Sequence, residues 1–77
     1  LAKRIVAAVR EDADPPVERW VVGLSPRSLV EARYRVSLEA QSELDQDLRR
    51  RFTVVGRQLA LTIIRAERDL QYQGRSQ

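Results

Sequence analysis

Three consecutive arginines, Arg49-Arg50-Arg51, with Arg57 close behind, are the strongest candidates for chemistry in this chain of 77 residues. Clustered guanidinium groups hold phosphate through paired N–H donors. The same run equally makes the solvated side of a helix near its C-terminus. That plainer use is the expectation, because no pair of base-stacking aromatics accompanies the arginines. Glu11, Asp12 and Asp14 form a carboxylate cluster of the kind that holds a cation or takes a proton. They stand just before Pro15-Pro16, where solvating a loop is their expected use. Ser25 and Ser28 have no histidine or lysine base nearby in sequence, and Gly23 is not part of a phosphate loop. Trp20, alone near the start of an apolar stretch, is expected to pack in the core rather than stack a ligand.

Absences narrow the chemistry further. The chain has no cysteine and no histidine. Disulfides, a thiol nucleophile, histidine-based triads and almost every zinc, copper or haem site are excluded. The remaining acids are scattered and lack the spacing of a calcium loop. No catalytic residue, metal ligand or cofactor-binding residue is assigned, and the chain is expected not to be an enzyme. Net charge is +3, from 14 basic and 11 acidic residues, and Lys3 is the only lysine. So mild an excess describes a mixed charged surface better than a nucleic-acid footprint. A hydrophobic content of 43% marks a globular chain, close to the lower size at which one core sustains itself. No stretch reaches membrane-spanning length; the longest apolar run, Leu59 to Ile64, is interrupted by Thr62. No secretory leader pattern opens the sequence. It begins on leucine, and is expected to be a processed piece or an excised domain.

Periodicity suggests the elements that must position these groups. Ala2, Ile5, Val6, Val9 and Ala13 follow helical spacing, which predicts a helix over 1–12 that ends at Asp14-Pro15-Pro16. From Val30 to Ala40 the apolar residues alternate: Val30, Ala32, Tyr34, Val36, Leu38, Ala40. Trp20, Val22 and Leu24 repeat at the same interval, and Ser25-Pro26-Arg27-Ser28 between them is turn chemistry. This predicts a β-hairpin with one buried face. A rival reading makes 26–51 one helix, with Ser25 as N-cap, Pro26 in the first turn and Ser28 to Glu31 as a capping box. The hairpin is preferred, since six alternating positions would wrap all round a helix. Ser42 then caps a second helix with the stripe Leu44, Leu48, Phe52, Val55 and Leu59, and Gly56 terminates it. Gln58 to Arg65 reads as a strand apolar on both faces, and 66–77 as a polar C-terminal extension.

The order becomes helix, strand, strand, helix, strand. Adding one strand in front gives β-α-β-β-α-β, an α+β ferredoxin-like (split β-α-β) fold. An antiparallel sheet would carry two helices on one face within a domain of residues 1–65, its first strand missing from this chain. Arg33 and Arg35 would occupy the exposed sheet face. The missing strand leaves edges open, so strand 58–65 would close beside 29–40, or a second chain would fill the gap.

Two segments, Pro16 to Val36 and Asp47 to Ile63, resemble the C-terminal cytoplasmic domain of the small-conductance mechanosensitive channel family. Val21-Val22-Gly23-Leu24-Ser25 and Ser28-Leu29-Val30 resemble its hairpin. Leu48-Arg49-Arg50-Arg51-Phe52 resembles its helix, and Gly56 with Leu61-Thr62-Ile63 its final strand. The similarity covers residues 1–65. The chain departs from the family in the missing first strand and in Ile64-Arg65-Ala66, where the family carries a proline and an aromatic. The resemblance implies a channel vestibule module on the cytoplasmic side of the cell membrane, with no cofactor and no small-molecule substrate. It also implies a ring-shaped homo-oligomer, with Leu59, Leu61 and Ile64 as contacts beyond the monomer. The alternatives are a stand-alone regulatory or oligomerisation domain and a small basic nucleic-acid-binding module.

Overall fold

The spacing of Ala2, Ile5 and Val9 sets the first element of the computed structural model, which describes residues 1–75. These three side chains are buried on one face of helix α1 (Ala2–Arg10). The helix closes with Asp12 in the left-handed region, φ 63°. The Asp12 N–H donates to the Val9 carbonyl at 3.1 Å and the Ala13 N–H to the Ala8 carbonyl at 2.9 Å. This double closure needs one left-handed residue, and aspartate is among the few non-glycines that accept it. Pro15 and Pro16 then turn the chain into a single helical turn, α2 (Val17–Trp20), which buries Val17. Gly23 takes φ 81° in the turn that follows, a conformation open to glycine without a Cβ penalty.

Helix α3 spans Pro26–Ser42, 17 residues. The Ser25 hydroxyl accepts the Ser28 N–H at 3.2 Å, satisfying a donor left free at the helix start, and Pro26 presets the first helical φ. Leu29, Ala32 and Val36 form its buried ridge, with Ala40 packed beside the core. After Glu43 and Leu44 the Asp45 carboxylate accepts the N–H groups of Asp47 at 2.9 Å and Leu48 at 3.4 Å. It thereby starts helix α4 (Gln46–Arg75), 30 residues long. The buried ridge of α4 is Phe52, Val55, Leu59 and Ile63, extended by the partly buried Leu48 and Ala66. The link is short, so α3 and α4 form an antiparallel helical hairpin, and this pair is the main interface of the molecule. Helix α1 packs on both members of the pair, and α2 packs on α4.

The predicted ferredoxin-like α+β sheet, with the hairpin inside it, is corrected: among the described residues there is no strand. Residues 17–24 are α2 and a turn, 29–40 lie in α3, and 58–65 lie inside α4. The Ser25 cap and Pro26 start a helix, and the ridge Leu29, Ala32, Val36 keeps it buried along one side. Ser42 does not cap the following helix; its hydroxyl donates to the Glu39 carbonyl at the end of α3. Leu44, placed in the predicted stripe, is 96% exposed in the link. Gly56 does not terminate α4, which continues unbroken through Ala66. Ser76 and Gln77, the end of the predicted extension, lie outside the described residues.

At 1.5 Å per residue α4 is about 45 Å long and α3 about 25 Å. Helix α4 therefore sets the longest dimension of the molecule, 49 Å, and runs past the start of α3. Arg10 fixes α1 to the far end of α3 through Glu39 at 2.8 Å and Glu43 at 3.0 Å. The hydrogen bond to Glu39, then that to Glu43, raises the Arg10 pKa, so the group stays a cation. Among the described residues no helix is long and apolar enough to cross a membrane. Replacing Ser25 by alanine is expected to cost about 1 kcal/mol, because an orphan N–H loses its acceptor. Urea unfolding followed by helical circular dichroism reads that loss directly.

Candidate functional site

Consecutive residues of a helix point about 100° apart, so a run of three arginines cannot form one patch on α4. Arg51 turns to α1 and donates to the Asp12 carboxylate. Arg50 lines a cavity beside Asp14, Val54 and Gln58. Arg49 lies on the opposite flank, on the face of Thr53, whose hydroxyl donates to the Arg49 carbonyl at 2.9 Å. Thr53, Gly56, Arg57 and Ala60 continue that flank at helical spacing.

Across from it, α3 presents Arg33, Ser37 and Ala40 at intervals of four and three. The two walls enclose an open groove of about 290 Å³, with Arg33 on one side and Arg57 on the other. Phe52 lies at its floor, its own side chain fully buried. The predicted pairing of Arg33 with Arg35 on one exposed sheet face is replaced by this arrangement. Arg35 points toward the α1 side and pairs with Glu31 at 3.1 Å. Arg33 joins Arg57, a residue 24 positions away. Sequence alone marks neither as a pair, because their meeting depends on how α3 and α4 fold back. The available local signal was the row of small residues, Gly56 and Ala60, beside Arg57.

The other candidates find structural uses. Arg4 stacks over the Trp20 ring at 4.0 Å from its centroid, a cation–π contact that holds α1 to the end of α2. Glu18 pairs with Arg65 at 3.7 Å. Glu11, Asp12 and Asp14 are exposed, and no group of acids suited to a metal ion occurs among the described residues. Ser25 caps α3 and Ser28 donates to it. Of the three side chains proposed as contacts beyond the monomer, Leu59 is fully buried in the monomer's own core. Leu61 and Ile64 are exposed, Leu61 beside α2 and Ile64 toward the groove side of α4.

These surfaces offer charge, small-residue relief and apolar area. No protein-family model matches the chain, and no curated protein or solved structure is found similar to it.

Proposed function

We propose that this chain is a non-catalytic helical interaction module. One observation carries the reading: among the described residues, the α3–α4 hairpin is covered on one side only. Helices α1 and α2 pack on that side, while none of the described residues covers the groove between Arg33 and Arg57 on the other. Two packed helices form a natural seat for a third, and α1 already occupies the equivalent seat opposite. A vestibule role in a mechanosensitive channel, at the cytoplasmic face of a membrane, finds no sheet to rest on among the described residues.

Self-association is a second reading, favoured by the end of α4. The buried ridge Phe52, Val55, Leu59, Ile63 continues in register through the partly buried Ala66 to Leu70, which is 56% exposed beyond the bundle. The isotope-labelled chain tests both readings. A panel of amphipathic helical peptides is titrated into it with amide spectra recorded, and the chain alone is sedimented over a dilution series. Shifts confined to the α3–α4 groove are the expected result. Concentration-dependent association lost on Leu70→Glu would place the contact at the end of α4 instead. No shifts at about 1 mM peptide, a concentration at which even weak complexes form, with a monomer throughout, would overturn the module reading.

A further inference from the structure

Gly56 stands near the middle of α4, where the chain itself gives it no reason to be glycine. Glycine is the poorest helix former after proline. The Gly56 backbone is not left-handed, and a Cβ built on it meets no atom within 4 Å. Neither the fold of α4 nor its packing on α3 requires the missing side chain. What the absence does create is a low point in the open groove, between Ser37 and Ala40 on one wall and Thr53 and Ala60 on the other.

The rim of this groove is cationic. Arg33 and Arg57 flank it from opposite helices, and Arg49 lies two turns before Gly56 on the same side of α4. No ion pair engages any of the three among the described residues, whereas Arg10, Arg35, Arg51 and Arg65 are each paired. Helical spacing carries the same face on to Val30 and Ile64, which remain 52% and 48% exposed.

We infer that the groove seats one helix of a different protein, with small or apolar residues along its contact ridge and acidic residues on both flanks. This rests on the interaction-module reading and names its partner. A row of small residues lets a helix backbone come close. Packed helices lie about 8–10 Å apart, so arginines on both walls meet the two flanks of a helix laid between them. A second copy of this chain fits poorly. Five of its eleven acids, Asp12, Glu18, Glu31, Glu39 and Glu43, already serve its own arginines. At the exposed end of α4, Glu67 and Asp69 alternate with Arg65 and Arg68, which would bring cations to the same rim. Nucleic acid is disfavoured because the one aromatic lining the groove is the buried Phe52, with no face left to stack a base.

The test uses the labelled chain and a synthetic helix with an Ala/Leu ridge and glutamate on both flanks. Versions with glutamine or lysine on the flanks, and single-stranded DNA, serve as the other arms. The glutamate helix is expected to shift amides along α3 and α4 and to bind at least about tenfold tighter than the glutamine helix at low salt. Raising the salt, or the double change Arg33→Ala with Arg57→Ala, removes that advantage. Gly56→Ala is expected to raise the melting temperature by about 4–8 °C while weakening the glutamate helix. Equal binding of all three helices would overturn the acidic partner and leave the module reading standing. Tighter binding of DNA to the same amides would overturn it in favour of a nucleic acid. Gly56→Ala that stabilises the chain without loss of affinity would overturn the close approach.

Discussion

Replacing Phe52 by alanine is expected to remove a large share of the stability of this chain. Phe52 is the only phenylalanine in the sequence and the largest of the fully buried side chains. It sits where α4 meets α3, with the Arg10 guanidinium 5.4 Å from its ring centre. Its buried neighbours are alanine, valine, leucine and isoleucine, too small to close over the space a ring leaves. Truncating a buried phenylalanine costs about 3–5 kcal/mol, from lost transfer energy plus an unfilled cavity. Domains of this size are stable by only about 4–12 kcal/mol, so the loss takes from about a quarter to all of that margin. Urea titration followed at the helical dichroism band measures the difference. Leu44→Ala, at a site 96% exposed, is the matched control and should change stability by less than about 0.5 kcal/mol. A loss at Phe52 no larger than at Leu44 would mean that the core lies elsewhere.

How legible this molecule was in its sequence depends on which period a stretch obeys. The ridge Ala2, Ile5, Val9 has only one reading, and α1 forms where it points. Leu48, Phe52, Val55 and Leu59 likewise lie on one side of α4. The stretch Val30 to Ala40 is ambiguous by arithmetic, because every second position contains two interleaved sets of every fourth. Ala32, Val36 and Ala40 form one helical ridge and turn inward. Val30, Tyr34 and Leu38 form another and remain exposed. A strand and a helix with two apolar ridges produce the same letters, and the Ser25-Pro26 start decides between them. Gln58 to Arg65 misleads in a related way. Leu59 and Ile63 enter the core while Leu61 and Ile64 face outward, so the run looks apolar on both faces of a strand. Gly56 reads locally as a helix end. Only the pairing of α3 with α4 shows that the helix passes through it and that its missing side chain opens onto the groove.

Tyr34 separates the helical and extended forms of this stretch most sharply, through two substitutions with opposite expectations. Its side chain is 64% exposed, so Tyr34→Ala removes little buried area and substitutes the best helix former. Its effect should stay within about 0.5 kcal/mol. In a sheet with Tyr34 on the buried face, the same change would empty part of the core. Tyr34→Pro does the reverse. It removes the bond from the Tyr34 N–H to the preceding turn and sets the ring against the carbonyl of Val30, at a cost of about 3 kcal/mol or more. It also divides α3 into two pieces of about two turns each, well below the roughly 12–15 residues at which a helix begins to sustain itself. Arg33 and Ser37, one wall of the groove, would lie on either side of the break. The proline variant should therefore lose helical signal and melting temperature together, while the alanine variant keeps both. A destabilised alanine variant beside a tolerated proline variant would return the stretch to an extended form and remove the groove with it.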